Sequence, residues 1–129
     1  MRVVAGRGPE HVELVRRLCD AIDSGDEATC RALFHEDVEY TFVSQGSYEG
    51  LDQVVANAMT QSQRFRVTQD LFTADGSGRV WWRYTASWSD AETGRPRRAT
   101  GASVAYVEAD KVKSIMSWID VIAAGVDAD

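Results

Sequence analysis

The stretch FRVTQDLFTADGSGRVWWRYTASW, Phe65 to Trp88, decides the fold. Its apolar residues alternate on either side of Ala74-Asp75-Gly76-Ser77-Gly78, a run with the composition of a hairpin turn. One strand is therefore expected from Phe65 to Phe72 and a second from Arg79 to Trp88. Working forward, Asp90 to Pro96 turns the chain, Arg98 to Val107 gives a third strand, Glu108-Ala109-Asp110 a tight turn, and Val112 to Ile122 a fourth. No helix is needed after Phe65. Working backward, the period changes from two to three and four. Pro9 suits a helix start, and Val12, Val15, Leu18, Cys19 and Ile22 mark one helical face. Ser24-Gly25-Asp26 ends that helix, and Asp26 can cap a short second one carrying Cys30, Leu33 and Phe34. Val38, Tyr40 and Phe42 then alternate as a half-buried strand. Gly46 and Gly50 bracket a turn with a short strand between them, and a third helix carries Val54, Val55, Ala58, Met59 and Ser62 on one face.

Helices confined to the first half and an antiparallel meander in the second make the class α+β, in one domain over residues 1–129. The strands are long, and Gly101 interrupts the third where a bulge or bend is tolerated. A strongly bent sheet closed by helices leaves a cavity instead of a solid core. Composition agrees with a globular chain: 129 residues, 44% hydrophobic and 26% charged. A net charge of -6 argues against duplex DNA or an anionic membrane as partner. Residues Met1 to Pro9 hold no apolar run of signal-peptide length, so a cytoplasmic location is expected. The two cysteines, Cys19 and Cys30, form no CxxC pair and read as buried thiols. With no glycine-rich phosphate loop, no Ser-His-Asp grouping and no His/Cys ligand set, no cofactor or metal is implied.

Three segments resemble the nuclear transport factor 2-like superfamily. AIDSGDEATCRALFHEDVEY resembles its helix–Gly-Asp–helix–strand opening, YEGLDQVV its third helix, and VAYVEADKVKSIMSWID its last hairpin. The resemblance runs from about residue 10 to 122 and implies a cone-shaped curved sheet with three helices enclosing a pocket. The closest pattern is that of SnoaL-like polyketide cyclases and ketosteroid isomerase-like proteins. The superfamily also holds limonene-type epoxide hydrolases, dehydratases and non-catalytic binding modules, so fold alone selects no chemistry. The ketosteroid isomerase positions fall at Thr41-Phe42, Leu18 and Ala102, none of them suitable for that machinery. The Asp-Arg-Asp positions of the epoxide hydrolases fall at Tyr84, Ala86 and Ser117. The cyclase carboxylate falls either at Asp120 or at Ser117. The family resemblance also implies a homodimer paired through the outer sheet face, with Trp81, Thr85 and Ile115 or Trp118 supplying the patch.

Asp120 stands between Ile119 and Val121, where an acid is either solvated at the strand end or buried with a raised pKa fit for general acid–base work. Strict alternation groups it with Met116 and Trp118, opposite Ile115, Ser117 and Ile119; comparison with relatives turns the second group inward, so a bulge is needed to bring Asp120 in. RVWWRYTASW places Trp82, Tyr84, Ala86 and Trp88 on one face, as pocket lining or as core. Comparison with relatives also turns Thr100, Ala102, Val104 and Tyr106 inward, giving a second phenol. The expected site is Asp120 as the proton carrier with Tyr84 and Tyr106 polarising an oxygen. Leu18, Tyr40, Phe42, Val55, Met59, Trp82, Trp88, Thr100 and Ser117 would bind the substrate. These residues point to a cofactor-independent enzyme of secondary metabolism. It would catalyse cyclisation, dehydration, isomerisation or epoxide opening on a hydrophobic, oxygenated small molecule. The alternative is a non-catalytic binding or assembly module. His11, His35 and the Arg95, Arg97, Arg98 group read as surface.

Overall fold

The computed structural model describes residues 7–122. Its elements are helix α1 (Arg7–Ser24), helix α2 (Glu27–Leu33), strands β1 (Phe34–Phe42) and β2 (Gly46–Glu49), helix α3 (Leu51–Arg64), then strands β3 (Arg66–Ala74), β4 (Arg79–Ser89), β5 (Pro96–Glu108) and β6 (Lys111–Ile122). The three helices and the late meander are as the sequence pattern required. The first strand begins at Phe34, so Phe34 lies in β1 and not, as the sequence pattern suggested, on the second helix.

All six strands form one sheet in the order β2-β1-β6-β5-β4-β3. Neighbours β3 to β6 pair antiparallel, while β1 lies parallel to β6, with Phe34 opposite Val112 and Phe42 opposite Ser117. Bulges bend the sheet. Leu71, at φ 59, is the extra residue of β3 between the Asp70–Arg83 and Thr73–Trp81 pairs. Asp120 is the extra residue of β6, because Thr100 pairs with Val121 and Gly101 with Ile119. The helices fill most of the concave side.

Local chemistry explains the breaks. Gly25, at φ 72, ends α1: its N–H bonds to the Ile22 carbonyl and that of Asp26 to the Ala21 carbonyl at 2.8 Å. Asp26 then caps α2, accepting from the Thr29 backbone at 3.1 Å and its hydroxyl at 2.7 Å, which holds its carboxyl below the usual range. In the β3–β4 turn, Asp75 accepts from the Ser77 N–H and hydroxyl, and its pKa falls to about 2.

The core lies between α1, α3 and the inner sheet face. Val15, Leu18, Phe34, Val38, Val54 and Val80 are all within 1% of full burial. Each is worth about 1.5–3 kcal/mol relative to exposure. Leu18 and Val55 therefore belong to this solid region and not to the cavity, contrary to the sequence-based assignment. Met59 packs against the same core and is likewise not a wall of the cavity. Cys19 and Cys30 are buried and free. No helix among the described residues is long and apolar enough to cross a membrane.

Candidate functional site

A cavity of about 670 Å³ opens between the inner sheet face, the end of α1 and the second half of α3. Strand β4 supplies Trp82, Tyr84, Ala86 and Trp88, the face that alternation selected. Strand β1 contributes Tyr40 and Phe42, and β6 contributes Ile115, Ser117 and Ile119. Aromatic contacts fix this wall. Tyr40 stacks on Phe42 with centroids 4.7 Å apart, Tyr48 meets Phe42 edge-on at 6.4 Å, and Phe65 meets Trp88 edge-on at 5.3 Å. Asn57 and Gln61, joined at 3.3 Å across one turn of α3, make part of a polar side.

Strand β5 faces the other way from the sequence-based reading. Ala99, Gly101, Ser103, Ala105 and Val107 are its buried residues, and Ala99 and Ser103 line the cavity. Thr100 and Tyr106 therefore lie on the outer face, where the Arg79 guanidinium sits 5.5 Å over the Tyr106 ring. Tyr106 is thereby separated from Tyr84. Both faces of β5 carry small and apolar residues, so alternation alone could not choose between them. Asp120 is exposed and does not line the cavity. The bulge that would have brought it in is present, and its charge reaches the Tyr84 phenol, whose pKa is raised first by burial and then by Asp120.

Among the described residues the carboxylate that lines the cavity is Asp23, which is itself exposed in part. It stands in the last turn of α1, one turn beyond Cys19, and accepts a hydrogen bond from the Gln69 amide at 3.0 Å. An acid there opposes the helix dipole, at a cost of about 0.3–1 kcal/mol, so helix stability does not explain it. Burial raises its pKa, Gln69 lowers it and Asp20 raises it again, with burial the largest influence. The groups around it respond to one another. Burial pushes the Tyr40 phenol well up, against the hydrogen bond with Ser117, and Cys19, Tyr84 and Asp23 add to the rise. Burial also raises the Cys19 thiol, followed by Asp23 and Asp20, which leaves it a poor nucleophile at neutral pH. Sequence reasoning missed Asp23; the signal for it is an acid directly after the stripe Val15, Leu18, Cys19, Ile22, one residue before the helix stop.

At the base of the cavity three hydroxyls are linked. Ser103 and Ser117 are 2.7 Å apart, and Ser117 lies 3.3 Å from the Tyr40 phenol. Both serines are at most 3% exposed. Tyr84 donates to the Trp118 carbonyl at 3.0 Å across Gly101. A second, smaller cleft of about 350 Å³ lies at the start of α1, but its arginine, Arg7, is paired with Glu10 and Asp110. Among the described residues no group of three or more His, Cys, Asp or Glu side chains could hold a metal.

Asp23 gives a testable pH dependence. A carboxyl whose folded pKa is raised contributes stability that is fully present below the ordinary value of 3.8 and lost as pH rises through the folded value. Asp23→Asn removes that loss while keeping an oxygen for Gln69. Its melting temperature should exceed the wild type's near pH 7, and the gap should close as pH falls toward 4. A constant gap across that range would show that the Asp23 charge is not the cause.

The family model described as the SnoaL-like domain matches residues 15–115. No curated protein matches the chain. Among solved structures, an NTF2-like protein from Burkholderia xenovorans LB400 is similar at 24% identity and TM-score 0.76, over 88% of this chain and 91% of that one. An LEH-like epoxide hydrolase from M. tuberculosis is similar at 16% identity and TM-score 0.74, over 88% and 85%. A candidate SnoaL-like polyketide cyclase from Jannaschia sp. CCS1 is similar at 17% identity and TM-score 0.75, over 88% and 87%. At these identities the likeness is one of fold.

Proposed function

Since the chain belongs to the SnoaL-like domain family, we propose that its cavity performs proton transfer on a hydrophobic, oxygenated small molecule, with Asp23 as the base. The observation that carries this reading is a carboxylate, exposed in part yet raised by burial, in the wall of a cavity that aromatic side chains help to line, close enough to the Tyr40 phenol to shift it. A carboxyl raised above its ordinary value is a stronger base for taking a proton from carbon or oxygen and returning it elsewhere. Apolar walls hold the substrate, and the hydroxyl hydrogen left over in the Ser103–Ser117–Tyr40 chain can stabilise charge on its oxygen as the proton leaves. Cyclisation, dehydration, isomerisation and epoxide opening all use that step. The epoxide hydrolase and cyclase among its structural neighbours are distant company for this proposal.

The test is exchange at carbon. Apolar ketones such as tetralone are incubated with the protein in D2O, and loss of the hydrogens beside the carbonyl is followed by NMR. Protein-dependent exchange supports the proposal. Binding without exchange across a panel of ketones would favour the non-catalytic reading of the same cavity.

Assembly is part of the proposal. Trp81, Val104 and Met116 lie in one row across the outer sheet face, with Trp81 41% and Met116 40% exposed, and Trp81 stacks on Trp118 at 6.4 Å. A homodimer through this face should bury at least roughly 1,200 Å². Ile115, considered for this patch from sequence, instead lines the cavity and is buried. Light scattering at micromolar concentration should give twice the chain mass, and Trp81→Lys should return the monomer's.

A further inference from the structure

We infer that the cavity selects a compound bearing both a carbonyl-type oxygen and, at its other end, a hydroxyl, because its base offers a spare hydroxyl hydrogen at Ser103–Ser117–Tyr40 and an acceptor-only phenol at Tyr84. This rests on the reading of the cavity as a small-molecule site and goes beyond it by fixing the polarity of what fits.

The argument is a count of hydrogens. Three hydroxyls, Ser103, Ser117 and Tyr40, carry three hydrogens and share two hydrogen bonds, at 2.7 and 3.3 Å. Whichever way the chain is polarised, two hydrogens are used within it and one is left over. All three residues line the cavity, so that hydrogen is available to an acceptor on the ligand. Tyr84 is the reverse case. Its partner is a backbone carbonyl, which can only accept, so its single hydrogen is committed to Trp118. Toward the cavity the Tyr84 oxygen can therefore only accept. The negative charge of Asp120 nearby further favours the hydrogen end of a ligand O–H over another oxygen. Gly101, over which the phenol lies, stands two residues along β5 from Ser103, which separates the two features by ~7 Å. A two-ring skeleton spans that distance. A ligand oxygen lacking a hydrogen placed against Tyr84 would leave two lone-pair groups facing each other without a proton between them, which is a rejection as strong as the matched pair is an attraction.

Four probes on one bicyclic skeleton test this: tetralin, tetralone, tetrahydronaphthol and hydroxytetralone, the last with its two oxygens at opposite ends. Dissociation constants are read by calorimetry for the wild type and Tyr84→Phe. Hydroxytetralone should bind tightest, with about a tenfold loss for each oxygen removed. Tyr84→Phe should weaken the two hydroxyl compounds by about tenfold and spare tetralone. Equal affinities for all four in the wild type, or a Tyr84→Phe loss as large for tetralone as for tetrahydronaphthol, would overturn the inference and leave the apolar small-molecule site standing. Failure of all four to bind would overturn both. The wild-type series carries the test by itself if Tyr84→Phe folds poorly.

Discussion

Replacing Asp23 by asparagine should lower ketone hydrogen exchange by ~10²–10⁴-fold, the usual contribution of a positioned acid or base, with binding little changed. The substitution keeps the size of the side chain and an oxygen for the Gln69 amide, which bonds it at 3.0 Å. Only the ability to take a proton is lost. Asp120→Asn is the companion measurement, since Asp120 is exposed and does not line the cavity. Exchange should survive it near the wild-type rate. If Asp120→Asn stops exchange and Asp23→Asn does not, the proton passes through the strand bulge and the base is misassigned here. The opposite outcome would make Asp23→Asn both more thermostable at neutral pH and inactive, the pairing expected when a carboxylate is desolvated for chemistry and not for the fold.

Gly101→Ala should be the most damaging single methyl group in the chain. A Cβ at this position would lie 1.9 Å from the Trp118 carbonyl and 2.6 Å from the Tyr84 phenol oxygen. The first of these is backbone in the middle of a sheet and cannot swing away, so β5 and β6 must separate. Overpacking of this kind costs about 3 kcal/mol or more. The φ of Gly101 is not in the left-handed region, so the glycine is required by space and not by conformation. Removing the phenol oxygen with Tyr84→Phe should recover little in the double variant, because the carbonyl clash remains. Chemical denaturation of the three variants checks this; full recovery in the double variant would place the strain on Tyr84 alone.

The fold was legible because its two halves obey different periods. Val15, Leu18 and Ile22 repeat at helical spacing, Trp82, Tyr84 and Trp88 at strand spacing, and turn residues separate them. Within the site, β4 was legible for the same reason: its inner face is aromatic and its outer face carries Arg83. β5 was not. Thr100, Ala102, Val104 and Tyr106 look as suitable for a pocket as Ala99, Ser103, Ala105 and Val107, and the choice between them is made by pairing with β6, which no local pattern reports. Asp120 attracted the role of base because an acid inside an apolar run looks out of place; the β6 bulge makes it the extra residue instead. Asp23 drew no notice because an acid next to Ser24-Gly25-Asp26 reads as part of a helix end. Its importance comes from Gln69 of β3, which donates to it, and from the Tyr40 phenol of β1, whose pKa its charge helps to raise.

The parallel seating of β1 on β6 sets the order in which this molecule can be completed. Phe34 lies opposite Val112 and Phe42 opposite Ser117, so β1, already paired with β2, gains its second neighbour only when β6 has been made. During synthesis the helices and the β1–β2 hairpin emerge first, yet the other edge of β1 stays unpaired until the last strand leaves the ribosome. Such non-local closure is slow, and an unpaired edge invites association with other chains meanwhile. Tyr40 and Ser117 meet across this same seam at 3.3 Å. The cavity is therefore completed only with β6, and a nascent chain stopped short of β6 has neither a finished sheet nor a place for a stabilising ligand.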